Sequence, residues 1–343
     1  MTKVAVVILN FNGENFLKEF LPSVIRHSKE ATIIVVDNGS RDQSVPMVKQ
    51  EFPSVQVLAL PENRGFCGGY NTALRQIQAT YYLLLNSDVE VTEGWLNPLM
   101  VALDQNLKIA AVQPKIRSFH QRSHFEYAGA AGGFIDGMGY PFCRGRIFHT
   151  VEEDRGQYDT QIPVLWTSGA CMLIRASQFH LVGGFDEDYF AHMEEIDLCW
   201  KLNRLGFETH CVPESIVYHV GGGTLTAGSP QKTFFNFRNG LSLLFKHTPD
   251  SELWWRLPIR CLLDYAAALT FLPQSRSNAW AVIRAHAHFF RNLQKEKSKR
   301  RKFKKQAKTF EAGPIYQKSI VRDYFLDGFR IFEQLPGPFS NPK

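Results

Sequence analysis

VAVVILNFN, residues 4–12, sets six apolar side chains in a row and then stops at Asn10. TIIVVDNGSRD (32–42) and YYLLLNSDVEV (81–91) repeat the form, ending at Asp37 and at Asn86-Ser87-Asp88. A short run of Val, Ile and Leu without polar alternation reads as a strand covered on both faces, the habit of a parallel sheet. Helical patterns separate the runs, at about 14–27, 42–51, 68–79 and 93–105. Parallel strands end on one edge, so Asn10, Asp37 and Asp88 are expected to gather in the crevice where open α/β sheets take ligands.

Downstream, AAVQPKI (110–116) reads as another strand and the Gly- and aromatic-rich stretch 127–148 as hairpins or an excursion loop. PVLWTSGACMLIR (163–175) reads as two short strands around a glycine turn, and ETHCVPESIVYHVGGGT (208–224) as a short strand pair. A helix is expected at about 194–206, and Asn38-Gly39-Ser40 reads as the N-cap cluster of the helix near 42. The expected division is an α/β unit over 1–225 and a helical, basic region over 226–343.

Charge follows that division. Residues 232–308 hold 17 Lys and Arg against 4 Asp and Glu, while the whole chain is only +6. The six cysteines include no C-x-x-C pair and sit mostly in apolar runs, which points to free thiols in a reducing compartment. No signal peptide and no transmembrane run is expected, since the first apolar stretch is short and ends at Asn10.

The turn after the first strand reads Leu9-Asn10-Phe11-Asn12-Gly13, without the G-x-G-x-x-G of a dinucleotide fold, and no phosphate-binding G-x-x-x-x-G-K-S/T occurs. Asp37 either accepts bonds from a base or ribose or caps the next helix. In PENRGFCGGYNTAL (61–74), Asn63, Gly65 and Asn71 mark a close backbone approach to a ligand or an ordinary helix start. Asp88 can hold Mg²⁺ or Mn²⁺, which take one or two carboxylates and leave room for phosphate oxygens, or it belongs to a turn. GGFDEDYFAHMEEIDLCWKLNRLGF (183–207) carries six acids between Asp186 and Asp197. A favourable helix dipole accounts for one or two. Glu194 and Glu195 open an otherwise apolar helix, where a carboxyl with a raised pKa can act as a base. His219, at a strand end, is a possible metal ligand or a structural histidine.

In their order, VVILNFNG, VVDNGSRD, ENRGFCGGYN, LLLNSDVEV, SGACMLIR, GGFDEDYFAHMEEIDLCWKL and HVGGGT closely resemble an inverting family 2 glycosyltransferase, in the rhamnosyltransferase-like branch that builds bacterial cell-surface polysaccharides. The resemblance implies a GT-A fold, an α/β/α sandwich on a mostly parallel sheet, and a nucleoside-diphosphate sugar donor, dTDP-rhamnose or a UDP-sugar. It implies that Asn10, Asn12, Asp37 and Asn38 line the nucleoside pocket, that Asn63, Gly65 and Asn71 contact nucleotide and diphosphate, and that Asn86 adjoins them. By the same match Asp88 and His219 hold a divalent cation, Glu195 is the catalytic base, and Glu194 contacts the acceptor. Two positions depart from the family pattern. The D-x-D metal motif reads Asn86-Ser87-Asp88, and the Glu-Asp pair reads Glu194-Glu195.

The acceptor implied is a glycan or lipid-linked saccharide. That suits a cytoplasmic protein lying peripherally on the inner membrane face through its basic C-terminal helices, the run 295–308 offering cations to anionic lipid and amphipathic helices such as 259–272 adding apolar burial. No motif supports nucleic-acid binding. The rival readings are an inactive or sugar-nucleotide-binding paralogue and, less well supported, a nucleotidyltransferase, which would need a glycine-rich first loop.

Overall fold

A computed structural model describes residues 2–221, 228–307, 313–337 and 339. Strand β1 (Thr2–Asn10) leads through α1 (Glu14–His27) to β2 (Thr32–Asp37), α2 (Ser44–Glu51) leads to β3 (Gln56–Ala59), and α3 (Gly65–Leu74) leads to β4 (Ala79–Asn86). These four strands are parallel, in the order β4–β1–β2–β3. Asn10 pairs in register with Asp37, and Leu9 with Asn86. The polar strand ends thus stand at one level.

Alternation along β1 explains its unbroken apolar run. Val4, Val6 and Ile8 join Leu17 and Leu21 of α1 on one face, while Ala5 and Val7 join Tyr70 and Leu74 of α3 on the other. β3 lies outside the sequence reading because, as an edge strand, it is only half-buried and carries no such run. α3 starts earlier than its periodicity suggests. Its glycines pack tightly, and a Cβ on Gly69 would lie 2.8 Å from the Leu9 side chain. The Asn38–Ser40 cluster does not cap α2, which starts at Ser44, where the Ser44 amide donates to Asp42 Oδ1 at 3.1 Å.

β5 (Val89–Val91), α4 (Leu96–Gln105) and β6 (Ile109–Ser118) continue the unit. The 127–148 stretch becomes β7 (Gly133–Asp136), β8 (Pro141–Cys143) and β9 (Arg146–Ile147), joined by β10 (Thr150–Val151) in a second sheet. Then follow β11 (Ile162–Val164), β12 (Cys171–Arg175), α5 (Ala176–Leu181), α6 (Glu194–Arg204) and β13 (Glu208–His219). The main sheet runs β11–β13–β6–β12–β4–β1–β2–β3, with β5 on β13. β11 and β12 do not pair with each other: β11 lies on β13, and β12 runs antiparallel between β4 and β6. Nor is 208–219 a strand pair. It is one strand whose register with β6 shifts between Val212 and Ile216, where Pro213 has no amide to give the ladder.

The 225/226 division and Gly222, Gly223 and Thr224 lie outside the described residues. Beyond them come α7 (Pro230–His247), α8 (Asp250–Phe271), α9 (Arg276–Arg291) and α10 (Leu293–Lys304), then β14 (Ile315–Tyr316) and α11 (Ile320–Phe325). β14 pairs parallel with β7, completing a five-stranded second sheet. α8 turns its charges inward. Arg260 and Asp264 are buried, Arg260 donates to Met138 O and Gly139 O, and Asp264 accepts from Tyr140 Oη at 2.8 Å and faces His286 Nε2 at 3.1 Å. Among the described residues no helix is long and apolar enough to cross a membrane.

Candidate active site

The ends of β1 and β2 form a polar wall. Asn10 Nδ2 donates to Asp37 Oδ1 at 3.1 Å and lies 3.2 Å from Ser40 Oγ, and Asp37 Oδ2 accepts the Ser40 amide at 3.0 Å. Asp37 therefore closes its own turn and is not the cap of α2. Asn12 (φ 52°) turns back over this wall and accepts the Arg41 amide at 2.8 Å. Asn10 Oδ1 is buried without a partner, an acceptor left open in a site that can use one. Asn38 spans to the next loop, accepting the Arg64 amide and donating to Gly65 O and Asn63 Oδ1. Gly65 (φ +68°) is pressed under Phe190, whose ring carbon would lie 2.6 Å from an added Cβ. Only glycine fits both demands.

The start of α3 is already occupied. The Phe66 and Cys67 amides donate to Phe190 O at 2.9 and 3.4 Å. Asn71 spends both ends of its amide on the same loop, accepting from the Phe185 amide and donating to Phe185 O and Glu187 Oε1. Two residues chosen for a ligand, Gly65 and Asn71, thus also fasten the acidic segment to the donor-side crevice.

Asn86 and Asp88 follow β4, and β13 brings His219 beside them. His219 Nε2 lies 3.2 Å from Asp88 Oδ1 and 3.4 Å from Asn86 Nδ2. On its other side His219 Nδ1 is 3.3 Å from Glu126 Oε2, in ion-pair range but without hydrogen-bond geometry. Burial would lower the imidazole pKa, but the Glu126 and Asp88 carboxylates outweigh it and lift it to about 10. Burial would likewise raise Asp88, yet the bond and charge of His219 hold it below the usual carboxylate range. Asp88 and the His219 Nε2 that faces it are of a donor type that suits a divalent cation, and loading would release the imidazole proton. Among the described residues no three His, Cys, Asp or Glu side chains form a ready cage. A cation here depends on oxygens brought by substrate.

Ion pairing sorts the six acids of 186–197. Asp186 meets Lys246 and Lys299 at 2.7 Å, and Asp188 meets Lys295 at 2.6 Å and Lys299. Glu187 meets Arg75 at 3.3 Å. Asp197 meets Lys201, Lys246 and His247 at 2.7–2.9 Å. Despite burial, Lys246 and Lys299 hold Asp186 near 2. Among the described residues Glu194 and Glu195 have no salt-bridge partner, and each has a buried Oε2 without a hydrogen bond. Burial drives Glu194 well above the usual range, with Glu195 adding repulsion, and lifts Glu195 to about 7. Glu195 packs toward Gly169 and Phe66.

The turn into α6 is strained. Phe190, His192 and Met193 take φ of 64°, 70° and 70°, a region unfavourable for such side chains. Asn239, buried on α7, holds the turn by donating to Tyr189 O, Ala191 O and His192 O at 3.1, 2.9 and 2.7 Å. Asn239→Ala is expected to lower turnover about 10²-fold by releasing the Glu195 loop, since small misplacements carry penalties of that order. Donor affinity, read by calorimetry, should hold. Unchanged turnover would reduce Asn239 to a packing residue.

Asn239, Glu126 and Lys246 were not among the sequence candidates. Asn239 left one trace, a polar residue inside the apolar pattern FFNFRNGLSLLFKH. The basic run also changes meaning. Lys295, Lys299, Arg300 and Lys304 neutralise Asp188, Asp186 and Asp250, so much of its charge is spent within the protein.

The profile described as Glycosyl transferase family 2 matches residues 5–179. An N-acetylglucosaminyl-diphospho-decaprenol L-rhamnosyltransferase of Mycobacterium tuberculosis is 27% identical over 288 residues, covering 77% of this chain and 90% of the relative. Rhamnosyltransferase WbbL of Escherichia coli is 24% identical, covering 71% and 92%. GalNAc-T7, solved with UDP, GalNAc and Mn²⁺, superposes with a TM-score of 0.56 at 17% identity over 73% of this chain and 49% of its own, so this chain spans about half that protein's length. The mannosyltransferase PcManGT of Pyrobaculum calidifontis, solved with GDP-Man and Mn²⁺, gives 0.50 at 14% identity over 95% and 88%. At these identities the structural likeness is one of fold, the GT-A arrangement.

Proposed function

Because the chain belongs to glycosyl transferase family 2, we propose that this glycosyltransferase moves a sugar from a nucleoside diphosphate, dTDP-rhamnose or a UDP-sugar, to a hydroxyl of a glycan or lipid-linked saccharide, with inversion at the anomeric carbon. One observation carries the reading. Of the six acids in 186–197, Glu194 and Glu195 alone lack a cationic partner among the described residues, and both open α6.

Asn10, Asp37 and Asn38 hold and orient the nucleoside, with Asn12 over it and Asn63 and Gly65 shaping the loop toward the diphosphate. Asp88 and His219, with Asn86 beside them, would hold a divalent cation, Mg²⁺ or Mn²⁺, whose chemistry there is to offset charge on the departing diphosphate. Glu195 takes the proton of the acceptor hydroxyl at its carboxylate oxygen. Glu194 stays protonated and donates to the acceptor. One base serving one displacement gives inversion, whereas retention by double displacement needs a second carboxylate as nucleophile. An acceptor carried on lipid places the enzyme peripherally on the inner face of the cytoplasmic membrane.

Thermal-shift titration with UDP-, GDP- and dTDP-sugars, in Mn²⁺ or Mg²⁺ and again in EDTA, tests the donor and the cation together. One nucleotide class should stabilise the protein more with the cation than in EDTA. Asp88→Ala should erase that difference and abolish transfer while the protein stays folded. Equal stabilisation in EDTA, or turnover in Asp88→Ala, would remove the cation from the mechanism.

A further inference from the structure

From Trp254 onward α8 is built with its charges inside and its oils outside. Arg260 and Asp264 are buried, whereas Trp254, Leu262 and Leu269 of α8 are 75%, 68% and 67% exposed. Arg256, the remaining charge of α8 between Trp254 and Leu272, donates to Gly137 O and pairs with Glu252. The outer face of α8 is thus free of charge over about 27 Å of helix. Trp280, Ile283 and Phe290 continue it on α9, at 61%, 41% and 46% exposure. An uncharged strip of large exposed apolar side chains along α8, with more on α9, marks a binding face.

Charge decides what covers it. α9 contains no acid, and its Arg276, Arg284 and Arg291 are exposed beside the apolar strip. Arg301 and Lys302 of α10 are exposed too. A second copy would bring cation against cation, whereas anionic headgroups complement every one of them. α8 cannot span a bilayer, so it lies in the interface plane, with its tryptophans at headgroup depth.

We infer that the outer face of the α8–α9 hairpin docks the enzyme on an anionic lipid bilayer. This rests on the reading that the enzyme works at a membrane, and it makes a defined apolar face around 254–290, in place of the run 295–308, the main contact. α7 and α10, packed behind the hairpin, hold the catalytic loop through Asn239 and Lys299, so docking would present Glu195 to a lipid-carried acceptor.

Flotation of the full chain with vesicles of phosphatidylcholine alone, or with phosphatidylglycerol added, tests this. Wild type should float with the anionic vesicles. Leu262→Glu with Leu269→Glu, both exposed and remote from the site, should lower the bound fraction at least about tenfold and leave transfer to a water-soluble acceptor unchanged. Wild type floating with no vesicle would overturn the face and the membrane placement together, without touching the sugar-transfer reading. A variant that floats like wild type would overturn the face alone. A concentration-dependent dimer dispersed by the same two substitutions, seen by analytical ultracentrifugation, would give the face to a second copy and overturn the bilayer.

Discussion

Glu195→Gln should reduce transfer about 10³-fold, within the range that a positioned general base contributes, and leave the fold intact. The substitution keeps the shape of a side chain whose Oε2 is buried without a hydrogen bond. It removes a charge that burial disfavours, so stability should hold or rise, and unfolding cannot explain the lost rate. The pH profile gives an independent check. Burial lifts the Glu195 pKa to about 7, and only the ionised form can take a proton. Wild-type kcat/KM should therefore climb as pH rises through about 7 and fall below it. The Gln variant should lose that limb. Near-wild-type turnover would take the base role from Glu195 and leave Glu194 as the candidate.

Asp197→Ala should destabilise the protein by about 3–5 kcal/mol, the usual consequence of stripping one partner from a buried charge cluster. Asp197 is wholly buried and faces Lys201, Lys246 and His247 at 2.7–2.9 Å. Burial would raise its pKa, but Lys201 and Lys246 hold it far below the usual range. Lys246 is itself buried and would keep only Asp186 as counterion. Chemical denaturation gives the loss directly. A partner change, Lys246→Met, combined with Asp197→Leu, should cost less than the sum of the two separate changes, since both charges then leave together. An additive result would mean the two groups do not depend on each other.

The parallel half of the fold was legible because its strands are apolar on both faces, a pattern that survives without knowledge of neighbours. Asn10, Asp37 and Asn86 stood out as the points where that pattern stops, and the register sets them level. β3 was hidden because an edge strand has no second apolar face to reveal. Glu194 and Glu195 stood out in the chain by opening an apolar helix, but nothing there showed how the other four acids between Asp186 and Asp197 are spent. What separates them is a set of lysines up to 113 positions away, and ion pairs at such range leave no periodic mark. For the same reason the basic run could be counted but not apportioned between partners inside the protein and partners outside it. The strained turn at Phe190–Met193 was equally silent, since the Asn239 bonds that hold it come from α7, far along the chain.

The dependence of the acidic segment on later helices sets an order of events during synthesis. Asp186 leaves the ribosome 60 residues ahead of Lys246 and 113 ahead of Lys299. At ordinary elongation rates that is a delay on the order of ten seconds. Between the emergence of β13 and that of α7 the main sheet and its nucleoside wall are complete, while the segment bearing Glu195 still lacks Lys246, Lys299 and the Asn239 amide. The acidic segment is thus secured after the donor side, and a nascent chain stalled before residue 239 is expected to carry a donor pocket with the Glu195 turn unheld.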